Sequence, residues 1–297
     1  MTQKLKYYSQ LLKFRLTSSV VFSAIAGYLL GIDSFSINEF LQLILGGFFV
    51  TGSANAFNQI LESDFDARMK RTASRPLPQK NITTIEAFFF ALIIGFIGLY
   101  LLNLINPYGS FFGILSKSSF FGLISILLYV LSYTPLKRLS TISVFVGAIP
   151  GAIPFLLGWV AATDDFELIG GTLFAIQFFW QFSHFIAIAW VLDEEYKKAG
   201  FKMLFGGKKG TYPAILSILS SVIMCLLSII PFFWNQEQLV LSLYGFIIIT
   251  FLGIWFTYHS IALFRHPEDK NAKKLMLASI AYLPLLQILY ILNKFVS

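Results

Sequence analysis

An all-α polytopic membrane protein, with about nine transmembrane helices and a cytoplasmic N-terminus, is the fold class the sequence predicts. Three observations carry that expectation. Of 297 residues, 57% are hydrophobic and 12% charged, against roughly 25% charged in a soluble domain. Thirty-three phenylalanines and a mean hydropathy of +0.74 leave more apolar surface than a soluble core could bury. The basic residues, finally, fall on alternate connections between apolar runs.

A helix crosses a bilayer with about 20 apolar residues. The first span, 16–32, follows the short basic lead MTQKLKYYSQLLKFR, which reads as neither a removable signal peptide nor an organelle leader, so a prokaryotic cell membrane is expected. The second, 38–61, runs into NQILESDFDARMKR, and the third covers 86–106. The fourth, 118–133, stops at YTPLKR; the fifth, 141–162, contains GAIPGAIP. The sixth, 168–191, carries FFWQFSHFIAIAW, and 212–234, 239–263 and 275–293 complete the set.

With the N-terminus inside, the cytoplasmic segments are 1–15, 62–85, 134–140, 192–211 and 264–274. They hold every Lys and Arg except Lys117 and Lys294, the bias of the positive-inside rule. The opposite connections carry Asp33, Glu39, Asp164, Asp165, Glu167 and Glu237. The net charge of +7 therefore reports topology beside anionic lipid, and no nucleic-acid partner is expected. The single cysteine, Cys225, forms no internal disulfide, and GxxxxGK[ST], GxSxG and HExxH motifs are absent.

The charged stretch after the second span carries the chemistry. Asn58, Glu62 and Asp66 fall at i, i+4 and i+8, one face if the helix continues, with Asn55 a turn further in. Stacked oxygen donors suit magnesium, which takes one or two carboxylates and completes its shell with water and phosphate oxygens. Lys70, Arg71 and Arg75 follow in a loop stiffened by RPLP, and guanidinium groups match phosphate bidentately. Metal and arginines together read as a diphosphate site; a solvated membrane-edge anchor is the plainer alternative. Lys137, Arg138 and Arg15 could close on the same anion, although basic residues are expected at these ends anyway. Asp64 points off the face.

A second cluster, Asp193, Glu194 and Glu195, reads equally as a metal site or a helix-end charge cluster. Its acidic-then-basic order repeats that of the first, four helices earlier, as a parallel duplication would. His184, near one helical face with Gln177 and Trp180, is an intramembrane histidine, either functional or a hydrogen-bonded core residue. His259 and His266 read as structural and solvated.

These residues resemble the UbiA superfamily of transmembrane prenyltransferases, whose second helix ends in N-x-x-x-[DE]-x-x-x-D, here Asn58 to Asp66. The likeness is closer to the branch that farnesylates heme b: NQILESDFDARMKRTASRPLP, YTPLKR, GAIPGAIPFLLGW, and WQFSHF followed by DEEYKKAGFKML match its blocks in order. The resemblance implies one prenyltransferase domain over 1–297, helices around a central cavity, and an active site toward the cytoplasm. It implies farnesyl diphosphate and heme b as substrates, heme O as product, magnesium as cofactor, and heme-handling or oxidase-assembly partners. By motif position it puts Asn58, Glu62 and Asp66 on the metal, Asn55, Arg71 and Arg75 at the active site, and His184 on the heme side. The chain departs from the family at Leu192 and Tyr196, where the aromatic-ring branch has the two aspartates of its second motif. It departs from the heme branch at Ser183 and at Lys202 to Phe205. The rival readings are an aromatic-ring prenyltransferase, a secondary transporter using GAIPGAIP as a broken helix, and a heme-binding assembly factor.

Overall fold

Twelve helices and one two-stranded β-pair make up the described residues of this computed structural model, 2–107, 110–111, 113–234 and 239–296. Glu237 lies outside them. The helices are α1 (Thr2–Leu12), α2 (Phe14–Gly31), α3 (Ile37–Asp66), α4 (Thr84–Asn103), α5 (Lys117–Leu127) and α6 (Thr134–Leu139). Then come α7 (Ile142–Thr163), α8 (Leu168–Val191), α9 (Asp193–Ala199), α10 (Thr211–Ile229), α11 (Leu243–Arg265) and α12 (Asp269–Val296). A π-helical turn, Leu128–Tyr133, joins α5 to α6. With that pair counted as one span, nine helices among the described residues are long and apolar enough to cross a membrane.

The ends are where sequence and structure part. The second span continues five residues beyond the hydrocarbon-like run, to Asp66, so the charged face is helical. The fourth runs on to Leu139 through the π turn, which precedes Pro135, a residue with no N–H to give to an α-helical ladder. The last begins at Asp269, six residues before its apolar stretch. Helix α1 was no part of the predicted set. Lys13, in the left-handed region at φ 48°, breaks it from α2.

Helix α7 is the centre, with 72% of its apolar window buried against 28% for α11. It meets α2 backbone to backbone. A Cβ on Gly158 would lie 1.9 Å from the Ala24 carbonyl oxygen, and one on Gly27 would lie 2.1 Å from that of Phe155. Close approach of this kind is what small residues give to helix pairs in lipid, where no hydrophobic force separates helix from solvent. Pro150 and Pro154 do not unwind α7. Gln181 donates to the Ala148 carbonyl at 3.0 Å, Gln177 to that of Gly151 at 2.9 Å, and Ser125 to that of Pro150 at 3.4 Å. The GAIPGAIP stretch is thus a continuous, side-chain-braced helix and lacks the unwound segment a transporter reading needs.

Capping sets the starts of α3 and α4. Ser36 accepts from the Glu39 N–H, and Thr83 with Glu86 forms a reciprocal capping box. Between α3 and α4 the loop 67–83 is pinned by Leu77 and Ile82, which pack with Leu11, Ala87 and Ala91. That packing holds the loop's basic residues beside the end of α3.

Candidate active site

Asn58, Glu62 and Asp66 lie along one face of the last two turns of α3, and all three are buried. A buried carboxylate needs a partner, and each has one from another segment. Lys137 Nζ of α6 sits 2.7 Å from Glu62 Oε1, and Arg75 Nη1 of the loop lies 2.6 Å from Asp66 Oδ2. Glu62 Oε1 accepts no aligned hydrogen bond, so its contact with Lys137 is an ion pair alone. Asn58 donates to Thr134 Oγ1 at 3.1 Å, and its Oδ1 takes a long contact from Lys13 Nζ at 3.4 Å. Thr72 Oγ1 closes on the Asp66 carbonyl, fixing the first turn of the loop.

These groups open onto a cavity of about 100 Å³. Lys13, Asn58, Glu62, Asp66, Arg71, Arg75 and Lys137 supply its polar wall; Tyr129, Tyr133, Tyr196, Phe201, Met69 and Met203 supply the rest. The Lys137 ammonium rests 4.4 Å from the centre of the Tyr133 ring and 5.8 Å from that of Phe201, a cation–π arrangement that adds to its pairing with Glu62. Burial, reinforced by Arg75 and Lys137 and opposed by Glu62 and Asp66, pushes the Lys13 ammonium down to about 7. Burial raises the Tyr196 phenol above its ordinary value.

Six sequence candidates therefore meet at one cavity: Asn58, Glu62, Asp66, Arg71, Arg75 and Lys137. Asn55 is buried one turn further in and donates to Thr17 Oγ1 at 3.2 Å. Three of the basic candidates do not line the cavity. Arg15 and Lys70 are exposed, and Arg138 is exposed with its guanidinium 4.8 Å over the Phe65 ring. Nor does the second acidic cluster join it. Asp193 pairs with Lys197 at 2.7 Å, Glu194 is exposed, and none of the three lines the cavity. Among the described residues, Glu195 Oε2 is buried without a hydrogen-bond partner, and no group of three His, Cys, Asp or Glu side chains is placed to hold a metal. The cavity residue from this segment is Tyr196, at a position where the aromatic-ring branch carries an aspartate.

Sequence reasoning missed Lys13 and the three tyrosines. Lys13 reaches the cavity in place of Arg15 because the left-handed break turns it inward. The only advance signal for Tyr133 was its place at the head of YTPLKR.

His184 lies deeper, on α8, away from this cavity. Its ring stacks on Trp180 at 4.7 Å, and Nδ1 is 2.8 Å from Ser279 Oγ. Ser279 gives its only proton to the Met276 carbonyl at 2.7 Å, so it accepts from Nδ1–H. The imidazole is then the tautomer whose Nε2 carries the lone pair. Aromatic contacts, His184 to Phe185 at 6.0 Å and Phe185 to Tyr133 at 6.4 Å, connect it to the polar cavity.

The UbiA prenyltransferase family matches residues 20–283. The protoheme IX farnesyltransferase of Flavobacterium psychrophilum is 47% identical over 291 residues, covering 97% of this chain and 94% of its own. That of Christiangramia forsetii is also 47% identical, covering 97% and 93%. Among solved structures, one concerned with digeranylgeranylglyceryl phosphate synthase superposes with a TM-score of 0.80 at 23% identity, covering 99% of this chain and 100% of that one. A UbiA homologue from Archaeoglobus fulgidus bound to DMAPP and Mg2+ superposes at 0.71 with 17% identity, covering 96% and 99%.

Proposed function

We propose heme farnesylation as the activity of this chain, which belongs to the UbiA prenyltransferase family. The farnesyl group moves from farnesyl diphosphate to a vinyl group of heme b, with addition of water, giving heme O and diphosphate. The curated relatives at 47% identity support the heme branch over the aromatic-ring branch. The observation that carries the chemistry is the pair of buried α3 carboxylates, each held by a cation from a different segment, around one cavity.

The residues fit magnesium. Glu62 Oε1 is buried without an aligned hydrogen bond, and Asn58, Glu62 and Asp66 offer hard oxygen donors along one face. Bound there, the ion would supply positive charge against the departing diphosphate. Arg71, Arg75, Lys137 and Lys13 hold the diphosphate oxygens; Arg75 and Lys137 exchange a carboxylate partner for a phosphate one as it arrives. The allylic C–O bond breaks, and the electron pair leaves with diphosphate. Tyr129, Tyr133 and Phe201 present π faces to the allylic cation and keep water from it. The vinyl group then bonds to the allylic carbon, and water adds to the resulting cation with loss of a proton. His184, with its Nε2 lone pair, serves the heme side.

The prenyltransferase domain spans 1–297. The cavity faces the cytoplasm from a prokaryotic cell membrane, because the ends that meet there are those carrying the basic residues. Purified protein incubated with heme b, farnesyl diphosphate and magnesium is expected to yield a heme heavier by a farnesyl group and a hydroxyl on mass spectrometry. Unchanged heme, with both substrates bound, would overturn the assignment.

A further inference from the structure

The break between α1 and α2 is held from both sides. Lys13 lies in the left-handed region at φ 48°, a conformation that costs an L-residue energy and persists where the surroundings over-determine it. Its N–H donates to Gln10 O at 3.2 Å, and its carbonyl accepts the Thr17 N–H at 3.0 Å, so α1 stops and α2 starts here. The last carbonyls of a helix have no donor within it. Leu11 O accepts from Gln59 Nε2 at 2.9 Å, and Leu12 O accepts from Thr17 Oγ1 at 2.6 Å. A helix running straight through residue 13 would spend both carbonyls on its own ladder, so these two side chains favour the break.

Helix α3 supplies the opposing surface. Gly52, Asn55 and Gln59 fall at i, i+3 and i+7, one face that meets the break, beside the face of Asn58, Glu62 and Asp66. Gly52 leaves room for Leu12, since a Cβ there would lie 2.6 Å from Leu12 Cδ2. The Thr17 hydroxyl gives its one proton to Leu12 O, so it accepts from Asn55 Nδ2 at 3.2 Å. Thr17, Asn55 and Gln59 are 0%, 2% and 1% exposed, and polar groups so deeply buried are costly without partners of this kind. None of the three lines the polar cavity. Lys13 does, with Nζ 3.4 Å from Asn58 Oδ1.

We infer that Thr17, Asn55 and Gln59 are positioning residues for the headgroup site: they hold the turn at Lys13 and thereby aim its ammonium at the diphosphate. The inference rests on the diphosphate reading of the cavity. Asn55 then acts through Thr17 and the Leu12 carbonyl, a turn before the first oxygen donor, Asn58. One helix supplies the oxygen donors and, through its neighbouring face, the placement of a cation beside them.

The test is a double-mutant cycle, read by titration calorimetry as binding of inorganic pyrophosphate with magnesium to the full chain in nanodiscs. Lys13→Met is expected to lower the affinity by about tenfold. Thr17→Val and Gln59→Met keep the shape and remove the donor, and each is expected to lower it by about threefold. Thr17→Ser keeps the hydroxyl and is expected to bind as wild type. In a Lys13→Met background, Thr17→Val and Gln59→Met are expected to cost less than about 1.5-fold. A packing role alone would cost the same factor in both backgrounds, and that result overturns the inference. Unchanged affinity in both single variants also overturns it, and either one carries the test should the other not fold. Wild type that binds pyrophosphate, with Lys13→Met unchanged, overturns the inference alone. Wild type that binds none overturns the headgroup reading, and the inference with it.

Discussion

Basic side chains at the two ends of the helix bundle do different work. At the end where α3 finishes, Lys137 and Arg75 face buried carboxylates around a cavity. At the other end, Lys117 and Lys294 turn onto backbone carbonyls. Lys294 Nζ donates to Leu30 O at 2.8 Å and Ile32 O at 2.6 Å, closing the C-terminus of α2. Lys117 donates to the Asp164 carbonyl and lies 3.4 Å from its carboxylate, closing α7. These are the two lysines that break the charge bias. Their placement gives a physical reason: a helix C-terminus is a cluster of unpaired carbonyls at the negative end of the dipole, and a lysine satisfies it. The first set has partners that a phosphate can replace. The second set has partners that no ligand can replace, so substitutions should separate activity from stability.

The largest effect is expected at the carboxylates. Glu62→Gln or Asp66→Asn should lower heme O formation by about a thousandfold, measured by product mass spectrometry, while the protein inserts and purifies as wild type. Full activity in either variant would erase the distinction between the two ends. Next come their cationic partners. Lys137→Ala or Arg75→Ala should weaken pyrophosphate binding by roughly ten- to a hundredfold, with Lys137→Arg recovering part of it; titration calorimetry reads this directly, and unchanged affinity would count against a phosphate role.

A third substitution probes the deeper site. His184→Ala should reduce heme affinity by about tenfold with pyrophosphate binding unaltered, read from the heme absorbance band. An equal loss of both would show that the histidine serves packing across α8 and α12. Ser279→Ala sharpens this, because it frees the ring to adopt the other tautomer and should produce a smaller loss of the same kind.

The parts of the site legible in the sequence are those fixed by helical repeat. Asn58, Glu62 and Asp66 can be placed together from spacing alone, since i, i+4 and i+8 share a face wherever the helix continues. The nine spans follow from length and hydropathy for the same reason of local origin. Lys13 and Arg15 could not be separated, because the left-handed residue that turns Lys13 inward is held by tertiary packing of α1. The tyrosines were hidden by abundance: in a chain with thirty-three phenylalanines and thirteen tyrosines, one more aromatic ring carries no local signal. The acidic run Asp193 to Glu195 is legible as a cluster, and spacing leaves its use open between a metal site and a helix-end charge cluster. Its i, i+4 pairing of Asp193 with Lys197 is also readable from helical spacing.

The smallest effect belongs to the far end, and it is the sharpest check on the comparison. Lys294→Met keeps the apolar stem against α2 and removes only the ammonium, so the carbonyls of Leu30 and Ile32 lose their donor. Leaving helix-end carbonyls without a partner costs on the order of 1 kcal/mol, which corresponds to a melting temperature lower by a few degrees. Heme O formation per folded molecule should stay within about twofold of wild type, because Lys294 lies at the end of α12 remote from the cavity-lining residues. Lys117→Met should behave alike at the end of α7. A variant that keeps its thermal stability but loses activity would mean that this end of the bundle also handles substrate, and the division between replaceable and irreplaceable partners would fail there.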